Sequence, residues 1–466
     1  MANFIAVDLG ATSGRVAVGS VTSEKIELEI AHRFSHEIVE DTDGSILWDW
    51  KLITSQVLIG IQKCLERGLP ISLAIDSWAV DYGLLDSQNQ LISRVHSYRD
   101  PRTFKAFEEL LAELGKERIY QETGIQFLNF NTLYQLVAAK SDESYKAASK
   151  LLLIPDLLNA ELTGVISTEV TNASTTQLLD VKTRKWDYPL IELAGLRSEI
   201  FTELHEPGAE IGVIKGFGAL DGIKVVATAS HDTASAVAGI PFEDRDTEAY
   251  ISSGTWSLVG IESDVPVTSH QALAANLTNE LGAANTVRIL RNVTGMWLLE
   301  ECRRTWRSAS EEWTIPQLVD EASRNLDFLS LIDPDDPRFR TPGEMPARIV
   351  TYCLEQGITP PRTKGEFTIC ILRSLAAAYK KTIAEIQTVT NKKITTIHIL
   401  GGGSQVSLLN QLTADACGVR VKTGPVESTL FGNIAVQALS AGVVPSLQAA
   451  RSLIAKSFIS EEFMPS

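Results

Sequence analysis

His231 and Asp232 stand side by side in ATASHDTASAV, residues 227–237, a run in which every neighbour is short. Adjacent imidazole and carboxylate groups suit three kinds of chemistry. A serine hydrolase would also need a nucleophile elbow, and no G-x-S-x-G occurs in the chain. A metal pair would normally need a third clustered ligand, and none lies near in sequence. A general base needs one carboxylate at the bottom of a pocket with room for substrate, and small neighbours leave that room. The base is the sharpest reading of the pair, with an ordinary turn as its alternative.

Two further stretches carry groups suited to anions. FIAVDL (residues 4–9) is followed by GATSG and then RVAVGSV, and EAYISSGTWSLVG (248–260) repeats the pattern. Turns of Gly, Ser and Thr expose backbone N–H groups and hydroxyls, which form anion-binding concavities. Either turn alone is also a plain hairpin; one opening each half of the chain suggests a triphosphate gripped from both sides. Arg15 adds a donor fork suited to phosphate oxygens. Asp8 ends the first apolar run, where a carboxylate either holds magnesium, partly through water, or accepts turn N–H bonds. GGGSQ (401–405) has Gly401 and Gly403 of a dinucleotide fingerprint but Val406 at its third glycine. No Walker sequence or protein-kinase motif set is present. His32 and His36 lie in an alternating segment, which puts them on a solvated strand face. Trp78, flanked by Asp76 and Asp81, reads equally as a sugar platform and as a core residue.

The elements that must hold these groups read as an α/β chain. Apolar runs predict strands at 4–9, 15–21, 25–34 and around 71–86, with a helix over 50–67 stopped by Gly68. In the second half they predict a hairpin at 248–264, a helix around 366–389, then strand, glycine turn and helix from 393 to 418. The polar stretch GIPFEDRD marks a boundary near 240, giving lobes of residues 1–240 and 241–466. The net charge of −16 argues against nucleic acid and anionic membranes as partners. No apolar run reaches the roughly 18 residues of a membrane span, and MANFIAVDLG does not read as a signal peptide. Five scattered cysteines without C-x-x-C spacing fit a reducing cytoplasm.

Taken together, VDLGATSGRV, AIDSWAVDYGLLD, GIQFLNFNTLYQL, SHDTASAV, YISSGTWSLVG, ILGGGSQVSLLNQLTADACG and GPVESTLFGN resemble the FGGY family of carbohydrate kinases, nearly end to end. That resemblance implies two ribonuclease-H-like lobes of the sugar kinase, Hsp70 and actin superfamily with a cleft between them. It implies ATP and Mg2+ as cofactors and a small sugar as partner. The acceptor would be the C1 hydroxyl of L-rhamnulose, with L-fuculose or L-ribulose as alternatives, or the chain would be a nucleotide-driven switch protein. Position by position, Ala11, Thr12, Ser13, Gly14, Arg15, Thr255 and Gly402 would contact ATP. His231, Asp232, Thr233 and Asn292 would contact the sugar, with Asp232 as proton acceptor. Two positions depart from the family pattern: Ala79 stands where a glycine borders the substrate, and Glu300 where a glutamine contacts nucleotide.

Overall fold

A computed structural model describes residues 1–307 and 312–466. The chain forms two compact units, and neither is one continuous stretch. The first comprises Met1–Pro241, Glu262–Ile289 and Glu427–Ile459; the second comprises Phe242–Ile261, Leu290–Val426 and Ser460–Ser466.

The first unit is built on a six-stranded sheet. Its order is Glu210–Val213, Lys224–Val226, Leu73–Ser77, Ala2–Leu9, Ser13–Val21 and Ile26–Ser35. Ala2–Leu9 reads as an unbroken apolar run because both faces of the sheet are covered. Ile5, Val7 and Leu9 point to one face, where they pack against Ile53, Val57 and Ile61 of the helix Trp50–Leu65. Phe4 and Ala6 point to the other face, against Leu430, Ile434 and Ala438 of the helix Ser428–Ser440 and against Ala234 and Ala238 of the helix Asp232–Ala238. By the two-residue period of a strand, Asp8 shares the face of Phe4 and Ala6. The helix that begins with Asp232 therefore packs on the face toward which Asp8 points.

Those two helices approach closely enough for their backbones to touch. A Cβ on Gly432 would lie 1.7 Å from the Ser235 carbonyl oxygen, and one on Gly239 would lie 2.4 Å from that of Ser428. This corrects the expectation that the small residues of ATASHDTASAV clear space for substrate. Ala234 and Ala238 are core residues, and Ser235 meets the neighbouring helix. The shortness of the run serves helix packing.

The second unit repeats the plan. Glu248–Ser253 and Trp256–Ser263 form an antiparallel hairpin, and Glu248–Ser253 pairs in parallel with Thr396–Leu400, followed by Arg420–Thr423 and Glu462–Phe463. The helix Lys364–Thr390 starts at a capping box, with Thr363 and Glu366 satisfying one another's backbone N–H groups, and ends at Asn391 in the left-handed conformation. Its Tyr379 hydroxyl hydrogen-bonds the Ser257 hydroxyl at 2.7 Å, tying the helix to the hairpin.

Gly432 tests the helix contact. Overpacking of this kind costs about 1–3 kcal/mol, so Gly432→Val should lower Tm by at least ~2 °C. Thermal unfolding by circular dichroism reads this directly, and an unchanged Tm would show that the two helices can separate without cost.

Candidate functional site

Strand register assembles the centre of the first unit. Asp8 is flanked in register by Arg15 on the antiparallel neighbour and by Asp76 on the parallel one. Register partners share a face, so the three side chains converge. Arg15 Nη1 donates to Asp8 Oδ2 at 3.1 Å, and its Nε lies 3.2 Å from Glu427 Oε2. Arg33 also bonds Glu427. Arg15, the donor expected to reach phosphate, is thus held between two carboxylates. Asp76 is fully buried; Asn433 Nδ2 donates to its Oδ2 at 2.6 Å, while Oδ1 lacks a partner.

Asp232 opens its helix with a quarter of its side chain exposed, and Thr233 Oγ1 donates to its Oδ1 at 3.1 Å. Burial, above all, raises its pKa, offset in part by His231. Burial likewise lifts Asp8 from an ordinary 3.8 to about 7; Arg15 opposes the shift, while Asp232 and Glu427 add to it. Asp76 is raised well above the usual range by burial and by Asp8. Three carboxylates that disfavour one another's charge mark a centre short of positive charge.

No group of three or more His, Cys, Asp and Glu among the described residues has a spacing that would cage a metal. The fit to magnesium is of another kind, since this ion commonly takes one or two carboxylates, with waters and substrate phosphates completing its shell. The uncompensated charge around Asp8 suits such a cation.

Behind Asp232 stands a chain of buried charge. His231 Nε2 lies 3.4 Å from Asp232 Oδ1, and its Nδ1 lies 3.0 Å from Arg288 Nη2. Arg288 is fully buried and sits 3.0 Å from Glu280 Oε2. Neither Glu280 nor Arg288 was assigned a role from the sequence, because TNEL and VRIL read as ordinary polar and apolar alternation.

Ala79 sits half-buried in the turn after Leu73–Ser77, next to Val80, whose φ of +67° is strained for a β-branched residue. The turn is clamped: the Val80 carbonyl accepts from Thr132 Oγ1 at 2.6 Å, and Asp81 accepts from the indole N–H groups of Trp48 and Trp78 and from Gln135. Trp78 is 4% exposed and packs on Trp48 with centroids 4.3 Å apart, so its core reading holds. His36 departs from the solvated face expected for it. The strand ends at Ser35, and His36 turns inward against Trp48 and Trp78, where burial lowers its pKa.

In the second unit the hairpin turn, the glycine turn and the start of the helix Trp297–Trp306 come together. The Thr255 carbonyl accepts from Gly295 N at 3.1 Å, and that of Gly254 accepts from Met296 N at 3.0 Å. Gly401, at φ +72°, and Gly403 abut Ser253, with no space for a side chain, whereas a Cβ on Gly402 would meet nothing within 4 Å. Gly401 and Gly403 are thus packing residues, and Gly402 alone presents open backbone. Glu300 is held by Arg303 at 2.8 Å, so the charge that replaces the family's glutamine has an internal partner. Asn292 lies half-buried on the strand Val287–Thr294.

Residues 3–239 match the N-terminal domain of the FGGY family of carbohydrate kinases, and residues 249–441 match its C-terminal domain. The chain belongs to that family and is an ATP-dependent carbohydrate kinase. Its fold is that of the sugar kinase, Hsp70 and actin superfamily. It is 41% identical over 464 residues to a rhamnulokinase of Halalkalibacterium halodurans, covering 97% of each chain. It is 43% identical over 472 residues to one of Pectobacterium carotovorum, covering 99% of this chain and 93% of that one. Among solved structures, a ligand-bound xylulose kinase from Lactobacillus acidophilus superposes with a TM-score of 0.81 at 20% identity, over 100% of this chain and 94% of that one. Plasmodium falciparum glycerol kinase with ADP superposes at 0.79 and 16% identity, with the same coverage. No helix among the described residues is long and apolar enough to cross a membrane.

The raised pKa of Asp8 has a signed consequence. The folded chain holds this proton more tightly than the unfolded chain, so the contribution is full below 3.8 and is lost as pH rises to about 7. Without magnesium, the Tm of Asp8→Asn relative to the parent should climb from about pH 4 to about pH 7 and then level. Magnesium should raise the parent's Tm more than the variant's. Parallel Tm curves at every pH would mean that Asp8 is an ordinary, screened carboxylate.

Proposed function

We propose that this chain transfers the γ-phosphoryl group of ATP to the C1 hydroxyl of L-rhamnulose, with Asp232 as proton acceptor, in the cytoplasm. The observation that carries the chemistry is a partly exposed carboxylate at Asp232, placed with Asp8 and Asp76 and backed by His231. The names of the relatives carry the choice of sugar.

A sugar hydroxyl is a weak nucleophile while it keeps its proton. As O1 approaches the γ-phosphorus, its O–H bond breaks and the proton passes to the Asp232 carboxylate. The O1–P bond forms, the bond from phosphorus to the β,γ-bridging oxygen breaks, and ADP leaves. The raised pKa makes Asp232 a better acceptor than an exposed aspartate. His231, Thr233, Ala79 and Asn292 are assigned to the sugar. Donors of the Ala11–Arg15 turn, with Thr255, the open backbone of Gly402 and Glu300, are assigned to ATP. Asp8 is assigned to Mg2+, which when bound offsets phosphate charge. Such transfer depends mainly on positioning and electrostatics.

Two measurements test this reading. In a coupled ADP-release assay over L-rhamnulose, L-fuculose, L-ribulose, D-xylulose and glycerol, L-rhamnulose should give the highest kcat/KM. A tenfold preference for another acceptor, about 1.4 kcal/mol of transition-state binding, would move the assignment to that sugar. ATP turnover indifferent to every acceptor would favour a switch protein. Asp232→Asn keeps shape and most hydrogen-bonding capacity, so sugar should still bind by calorimetry while kcat falls at least about 10²-fold. Turnover within tenfold of the parent would place the proton elsewhere.

A further inference from the structure

The buried pair behind His231 fixes which imidazole nitrogen carries the proton. A guanidinium has only donors. Arg288 Nη2 meets His231 Nδ1 at 3.0 Å with hydrogen-bonding geometry, so Nδ1 must accept. Glu280 Oε2 is 3.3 Å from Nδ1 and 3.0 Å from Arg288 Nη2 and is aligned for a hydrogen bond with neither, so it acts on the pair through charge. The remaining proton then sits on Nε2, which lies 3.4 Å from Asp232 Oδ1. Arg288 cannot turn away, because its Nε and Nη2 both donate to the Leu281 carbonyl at 3.2 Å. Its charge, in a site with no exposure, is offset by Glu280.

We infer that Arg288 and Glu280 are positioning residues for the phosphoryl transfer: they lock His231 as its Nε2–H tautomer, so that the imidazole turns an N–H, and not a lone pair, toward the Asp232 carboxylate 3.4 Å away. This rests on the assignment of Asp232 as proton acceptor. Neither residue reaches substrate; each acts through the imidazole. A lone pair on Nε2 would face the carboxylate oxygen instead, repelling it from its working orientation. An aspartate alone could accept a proton, but Asp8 and Asp76 both repel its charge. A fixed N–H donor opposes that repulsion.

The test is nitrogen-15 NMR of the imidazoles in the full-length protein, with the His231 signals assigned from His231→Gln among the seven histidines of the chain. In the parent, His231 should show the Nε2–H tautomer near neutral pH; the Nδ1–H form or the imidazolium would overturn the inference. In Arg288→Gln, Glu280 becomes the acceptor nearest Nδ1, and the signals should move to the Nδ1–H form. With that change kcat should fall by about 10- to 100-fold, the usual range for a lost supporting hydrogen bond, while KM for ATP stays put. Arg288→Lys keeps a charged donor and should retain the parent tautomer and most of kcat. A flipped tautomer with unchanged kcat would also overturn it. The parent spectrum decides the tautomer even if Arg288→Gln does not fold. It does so too if no ketose in the panel is phosphorylated, an outcome that would count against the substrate and not against the lock.

Discussion

The centre of the first unit depends on two helices that touch backbone to backbone. Gly239 and Gly432 lie where any side chain would strike the opposing main chain. Their contact seats the helix Asp232–Ala238 against the sheet face that carries Asp8 and Asp76. Without that closeness Asp232 would stand farther from both strands, and the repulsion by which it raises Asp8 and Asp76 would weaken. The same helix Ser428–Ser440 supplies Asn433 to Asp76 and Gln437 to the Ile5 carbonyl and the Ser72 hydroxyl, so it both spaces and satisfies the polar floor beneath the site.

Charge at this floor is balanced in two separate ways. Arg15 answers Asp8 and Glu427, and Arg288 answers Glu280. Neither arginine is left over for the carboxylates as a group, which keeps the site receptive to a cation arriving with substrate. Buried ion pairs seldom add stability in proportion to their Coulomb attraction, because desolvation opposes it. What these pairs supply is direction, since each arginine is pinned by several acceptors.

Much of this was legible in the chain itself. The two hairpins, the helix over 50–65 and the glycine turn follow from apolar runs and punctuation, which survive tertiary packing because both sheet faces are covered. Asp8 stood out as a carboxylate ending an apolar run, and His231–Asp232 as an adjacent pair among short neighbours. Other features arise only in three dimensions. Arg288 and Glu280 sit in strands whose alternation places a polar residue where solvent would normally be, and only the fold turns them inward. His36 left the periodicity one residue past the end of its strand. The short residues around Asp232 were open to two readings, because a composition that allows substrate entry is also one that allows helices to touch.

The order in which the segments join has a consequence for how the protein is made. Asp76 waits for Asn433, 357 residues later, and Gly239 meets a helix that emerges from the ribosome near the end of synthesis. Residues 1–241 are complete long before their site can be. Until that helix is made, the sheet face carrying Phe4 and Ala6 lacks one of its covering helices and Asp76 lacks its Asn433 donor. Apolar surface left open in that interval favours aggregation, and a chain ending before residue 427 would keep the strands but lack the helix that bonds Asp76 and abuts Gly239.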